Sequence, residues 1–380
     1  MSATDIRALV LIDRGPATNG MAFAPAPLAL LDVAGMSPFE RFAERLRRQG
    51  ISPVTAVIEW SPGYPHRSFP LPSEIDCRTT PSDRFWRAGE SAFNDLAQSG
   101  AELVMVIRLG AYAEIDFEKL VQFHLERQCR VSRVVRGSQG LDIFCLSAFR
   151  RNDAASLFRS RLGRCRSEYV PFVHDGYFNP LADSRDFRQF GVDILTLKAE
   201  TRPAGREIRP GIWVASRATI EKGSRVLAPA FIGYSACIRA GAVITRCTAI
   251  ERHAQVDCGT VVENSTVLPY SRLGAGLDLA HSVVGMGHIA NLRRNATVEV
   301  ADEKLLSQNS GSAGQKLLSA AAKLPGTIWR ALKGAAPAHK PDLEGALREP
   351  SAALGISAYD TKASGEFSPK LAIARRYGDQ

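Results

Sequence analysis

The 380-residue chain is poor in several features that would narrow its role at once. Its seven cysteines, Cys77, Cys129, Cys145, Cys165, Cys237, Cys247 and Cys258, are odd in number and include no CxxC pair. That excludes a ready disulfide framework and fits reduced thiols in a cytosolic protein. No apolar stretch approaches the length of a membrane span, and the start MSATDIRALVLIDRG lacks a basic region followed by an apolar one. A cytoplasmic location is therefore expected. Zinc-finger spacing, an RNA-binding aromatic signature and a long Lys/Arg run are all missing, so no nucleic-acid partner is expected. The net charge of +9 still permits acidic ligands such as nucleotides or polyphosphates.

What is present is a repeat. Aliphatic residues recur at every sixth position through Val214, Ile220, Val226, Ile232, Ile238, Ile244, Ile250, Val256, Val262 and Leu268. Four residues after each of the first nine comes a small side chain: Ala218, Ser224, Ala230, Ala236, Ala242, Thr248, Ala254, Thr260 and Thr266. A buried helix needs a period near 3.6 and a half-buried strand a period of 2, whereas this pattern suits short stacked strands joined by tight turns. Coils of this kind bury their plug only against neighbouring coils, and each end needs a cap. A phase break is expected after Leu268, with Leu277, Val283 and Ile289 restarting the step.

The first two hundred residues alternate strand and helix. RALVLI at 7–12 reads as a buried parallel strand, followed by a Gly/Pro-containing loop over 13–27. Ser37 and Glu40 are spaced as a capping box with Pro38 at the first helical position, and Phe39, Phe42, Ala43 and Leu46 share one face of the helix that Gly50 stops. Strands at Val54–Ile58 and Leu103–Ile107 and a helix over Phe117–Arg127 continue the alternation, which favours a largely parallel sheet between helices.

Five segments in this order resemble the nucleoside-diphosphate-sugar pyrophosphorylases, sugar-phosphate nucleotidyltransferases that often carry a hexapeptide-repeat tail. They are ALVLIDRGPATNG with PAPLALLDVAGMSPFERFAERLRRQGI, then RAGESAFNDL, VMVIRLGAYAEIDFEKLVQFH, HDGYFNPLADSRDF and VVENSTVLPYSRLGAGLDLAHSVVG. The resemblance implies a Rossmann-like nucleotidyltransferase domain over residues 1–200 and a left-handed parallel β-helix over 201–300. It also implies a nucleotide or nucleotide-sugar ligand, with Arg14, Gly15, Arg87 and Gly89 as nucleotide-binding candidates, Gly89 matching a base-contacting glycine.

The chain departs from the family where chemistry is done. Catalysis there rests on backbone amides, a basic residue and carboxylate-held Mg²⁺ arranged around phosphate. The glycine-rich phosphate loop is replaced by Asp13-Arg14-Gly15-Pro16-Ala17-Thr18, in which Pro16 has no N–H and Asp13 would repel a triphosphate. The phosphate-contacting lysine is replaced within Pro25-Ala26-Pro27. The two metal aspartates fall on Gly110 and near Pro180, neither of which offers a side-chain oxygen. Asp183, Glu114 and Asp116 lie near by in sequence, Asp116 as a helix cap. RVVRGSQGLDIFCLSAF also passes almost directly from strand to strand, omitting a substrate loop.

A catalytically silent relative with a regulatory or scaffolding role in nucleotide-sugar or surface-polysaccharide metabolism is the main expectation. One alternative is an active nucleotidyltransferase with rearranged ligands, using Arg14, Arg87 and Asp183; Mg²⁺ is implied only in that case. Another is a hexapeptide-repeat acyltransferase with His253 as general base, His281 and His288 being further candidates. No metal-ligating residue is otherwise singled out.

Residues 301–380 begin with linker-like SQNSGSAGQ and continue into KLLSAAAKLPGTIWRALKG, a basic amphipathic segment split by Pro325 and Gly326, before a mostly disordered end. Self-association into a homo-oligomer is expected from the exposed sheet edges and flat faces of a coil. A protein partner through the repeat or the tail is a further expectation, and contact with a membrane surface is not expected.

Overall fold

A computed structural model describes residues 4–14, 27–60, 73–162 and 169–308. Gly15 and the segment expected to be helical and flexible after residue 308 lie outside the described residues. The described chain is mixed α/β, and it belongs to one compact unit, Met1–Lys316.

The amino-terminal part is built on a seven-stranded sheet. Its strands are β1 (Ile6–Ile12), β2 (Val54–Glu59), β3 (Asp76–Thr80), β4 (Leu103–Arg108), β6 (Val131–Arg136), β7 (Gln139–Ser147) and β8 (Val170–Val173), while β5 (Tyr112–Ala113) and β9 (Phe178–Asn179) form a separate pair. The order is β3-β2-β1-β4-β7-β6-β8; the first four are parallel, and β7 runs against both neighbours. Both faces of β1 are buried, as a parallel strand between helix layers requires. Ala8, Val10 and Ile12 pack with α1 (Pro38–Arg48), α3 (Phe117–Glu126) and α5 (Ser184–Leu195), whereas Leu9 and Leu11 pack with α2 (Phe85–Gln98) and α4 (Arg151–Arg159). The capping box is present on α1: Glu40 N donates to Ser37 Oγ at 3.1 Å, and Ser37 N donates to Glu40 Oε2 at 2.7 Å.

From Ile212 the chain winds through three parallel sheets in rotation. The first face carries Ile212–Val214, Ala230–Ile232, Thr248–Ile250, Thr266–Val267 and Ser282–Gly285. The second carries Thr219–Ile220, Cys237–Ile238, Gln255–Val256 and Ser271–Leu273, and the third Arg225–Val226, Val243–Thr245, Val261–Glu263 and Asp278–Ala280. Ile232, Ile238, Ile244, Ile250, Val256 and Val262 are fully buried along the axis. The hydroxyl of Thr248 donates to Thr245 O, and that of Thr260 donates to Gly274 O at 2.6 Å, so small corner side chains also satisfy turn carbonyls.

The phase breaks earlier than the hexads suggest. Ile250 pairs with Val267, not Leu268, because the turn between Glu263 and Thr266 is one residue short; the inner positions then continue through Leu273, Leu279 and Val284. Leu268 and Val283 point outward instead, into the core beneath the α/β sheet, with Leu277 and Ile289 only partly buried. Ile250→Val, which deletes one methylene from this packed axis, is expected to cost about 1 kcal/mol in a urea titration. A change within error would show that the axis yields around the site.

The first face of the coil is also the contact with the α/β part. Phe231, Ala249, Leu268, Val283 and Ala290 join one core with α1, α3 and α5. Gly35 adopts φ +90°, and a Cβ there would sit 2.6 Å from the Phe231 ring, so this approach needs glycine. Polar bonds cross the same contact. The Glu251 carboxylate accepts from Ala34 N at 2.8 Å and Gly35 N at 2.9 Å, and Arg252 Nη2 donates to Asp32 Oδ1 at 2.8 Å. On α5, Arg188 donates from Nε to Asn264 O at 3.2 Å and from Nη2 to Asn264 Oδ1 at 2.9 Å.

Candidate functional site

In an open sheet of this kind ligands bind beyond the carboxyl ends of the parallel strands, where helix amino-termini and loops converge. At that edge Asp13 follows β1 and Arg108 closes β4. Arg108 grips Asp13 as a fork: Nε lies 3.0 Å from Oδ1 and Nη2 lies 2.6 Å from Oδ2. Its remaining nitrogen, Nη1, donates to Asp142 Oδ2 at 3.3 Å, and Arg133 Nη2 donates to the other Asp142 oxygen at 3.3 Å. The Trp86 ring on α2 lies 5.7 Å from the Arg108 guanidinium. Burial would lower the Arg108 pKa, but the Asp13 hydrogen bond and charge raise it above its ordinary value. Burial pushes the Asp142 carboxyl up against the pull of Arg108 and Arg133.

Two carboxylates and two guanidiniums thus neutralise one another at the edge where a polyphosphate would need unopposed cations. Asp13 is held by an arrangement the sequence did not suggest. Arg108 stands two residues before Gly110 and directs its fork at Asp13.

The carboxylates nearest in sequence to Gly110 and Pro180 accept hydrogen bonds from backbone amides. Asp183 caps α5, its Oδ1 accepting from Arg185 N at 2.8 Å and Asp186 N at 2.9 Å. Asp116 caps α3, accepting from Lys119 N at 3.0 Å. Glu114 is buried and directs both oxygens at backbone, to Glu200 N and Thr201 N at 2.8 Å each. Among the described residues, no group of three His, Cys, Asp or Glu is disposed to hold a metal ion.

The described nucleotide candidates are Arg14, Arg87 and Gly89. Arg14 is exposed at the end of β1, its backbone N–H donating to Glu59 Oε2 at 3.2 Å, and Arg87 is exposed on α2. Gly89 is on the same helix but faces the core. A Cβ there would lie 3.0 Å from Leu11 Cδ2 and from Phe158 Cε1, so this glycine lets α2 approach the sheet.

His253 occupies a corner of the coil at φ +55°. Its ring stacks on Tyr270 with centroids 4.8 Å apart and interplanar angle 15°, and meets Tyr234 edge-on at 5.4 Å. Burial, then the Arg252 charge, lower its pKa below the ordinary value. These contacts make it a rung in a corner stack. His281 Nδ1 lies 2.7 Å from Asn264 Nδ2, and His288 Nδ1 lies 2.9 Å from Met286 O.

No protein-family model matches the chain, and no characterised protein matches it significantly.

Proposed function

We propose that the chain is a nucleotidyltransferase-like protein carrying a left-handed parallel β-helix, and that it no longer transfers nucleotides. Its role on this reading is regulatory or scaffolding, in nucleotide-sugar or surface-polysaccharide metabolism. The order of the five sequence segments supports the kinship. The silence rests on one observation above all, the closed Asp13–Arg108–Asp142–Arg133 network at the carboxyl edge of the sheet. An incoming triphosphate would have to break a forked ion pair and would then face Asp13, and the carboxylates at this edge, Asp13 and Asp142, are both held by arginines.

The test is pyrophosphate release from nucleoside triphosphates and sugar 1-phosphates with Mg²⁺, paired with calorimetry of nucleotides and nucleotide-sugars with and without the metal. No turnover is expected from the wild-type chain. Mg²⁺-dependent pyrophosphate release that disappears in Arg108→Ala overturns the silent reading. Nucleotide-sugar binding that needs no Mg²⁺ would assign the protein a sensing role, and its absence a purely structural one.

A further inference from the structure

The amino edge of the same sheet, opposite the Asp13–Arg108 network, carries exposed apolar side chains. Phe149, in the turn between β7 and α4, is 77% exposed, and Leu125 on α3 is 48% exposed. The Arg150 guanidinium lies 5.5 Å from the Phe149 ring centroid, and most of the side chain still faces outward. Beside the ring lies a hollow of about 530 Å³ walled by Ala97, Ala101, Leu103, Leu125 and Ala148, with Phe149 at its border. Two exposed side chains of opposite sign, Glu102 and Arg151, also line it. Among the described residues neither makes an ion pair or side-chain hydrogen bond. The neighbouring charges are already used: Arg150 and Arg130 both pair with Asp153.

We propose that this face is a two-fold interface between two copies of the chain. A projecting ring next to a hollow walled partly by apolar side chains and partly by Thr4 and Ser147, with one charge of each sign on the rim, is self-complementary. Under a two-fold axis each Phe149 enters the hollow of the other copy, and Glu102 meets Arg151 of the partner subunit twice, once on each side. A partner of a single strong charge would satisfy only one of the two rim residues, whereas a second copy satisfies both. The contact lies away from the coil, where self-association was expected from the repeat alone, and it is independent of whether the sheet's other edge retains any nucleotide chemistry.

Sedimentation velocity over a micromolar concentration series decides the matter, with the full chain. The wild type is expected to dimerise. Phe149→Asp, which changes an exposed side chain and should leave circular dichroism and melting temperature unaltered, is expected to weaken the dimer about 100-fold. Glu102→Arg alone and Arg151→Glu alone should each weaken it about tenfold by opposing like charges, and the double exchange should restore it. A wild-type monomer throughout the series overturns the proposal, as does a Phe149→Asp protein that remains dimeric or a double exchange no tighter than the single ones. The rescue arm excludes a merely structural effect, because a fold defect in either single variant would not be repaired by adding the other.

Discussion

Replacing Arg41 by alanine is expected to destabilise the protein by about 3–5 kcal/mol, the range for removing one member of a buried, charge-bearing network. Arg41 lies on α1 and is 4% exposed. Its Nη2 donates to Val33 O at 2.7 Å and Ala34 O at 3.0 Å, its Nη1 to Thr201 Oγ1 and Arg202 O at 2.7 Å each, and its Nε to Met36 O at 3.3 Å. One guanidinium therefore holds the turn that presents Ala34 and Gly35 to Glu251, and also the connection through which the chain passes from α5 to the coil. Alanine would leave several buried acceptors without donors and remove a cation from beside Glu251 and Asp32. A lysine cannot reproduce the fork, so Arg41→Lys should recover only a minor part of the loss. Urea denaturation followed by circular dichroism measures both. A loss below about 1 kcal/mol for the alanine variant would mean that water replaces the guanidinium readily and that the joint is held by apolar packing alone.

The division between what could be read from the residues and what could not follows the range of each interaction. The capping box on α1 and the two-faced burial of β1 depend on neighbours a few positions apart, and they stand in the sequence as local patterns. The hexads are equally local, yet their phase after Val262 is not. Val267 and Leu268 are adjacent aliphatics, either of which fits the axis, and only the short turn at Asn264 and Ser265 together with the apolar surface waiting outside decides that Leu268 faces out. Gly89 illustrates a different ambiguity. A helical glycine permits close approach by a ligand or by a sheet with the same absence of Cβ, and the choice depends on what Leu11 and Phe158 do elsewhere. Asp13 and Arg108 are both visible at the ends of expected strands, but their fork joins residues 95 apart in sequence. A strand-order argument that placed β4 beside β1 would have brought them together, since in a parallel pair the carboxyl ends coincide. No comparable signal marks Arg188 or Glu251, whose partners across the joint are mostly backbone groups.

The joint should also respond to pH, with stability falling as pH rises. Asp32 is fully buried; Arg252 holds its Oδ1, while Oδ2 has no hydrogen-bond partner among the described residues. Burial pushes its pKa from an ordinary 3.8 to about 8, against the attraction of Arg252 and Arg41 and with Glu251 and Glu40 adding to the rise. Glu251 is pushed by burial from 4.5 to about 7, although the Gly35 and Ala34 amides and the two arginines pull it down. A carboxyl raised in this way keeps in the folded state a proton that the unfolded chain has released. Its stabilising share is complete below the unfolded value, near 4, and is lost as pH climbs through the folded value. The wild type is therefore expected to lose a few kcal/mol between pH ~5 and pH ~8 and to change little above that. His124 and His253, both lowered chiefly by burial, act in the opposite sense below their ordinary value of 6.5, so the raw curve mixes signs. Asp32→Asn separates them, because it removes the titrating carboxyl while keeping an acceptor for Arg252. Its melting temperature should vary less than the wild type's over the same interval, and the difference between the two curves should steepen toward pH ~8. Parallel curves for the two proteins would show that Asp32 is ionised throughout by its arginines, and that the joint carries its charge as a compensated ion pair.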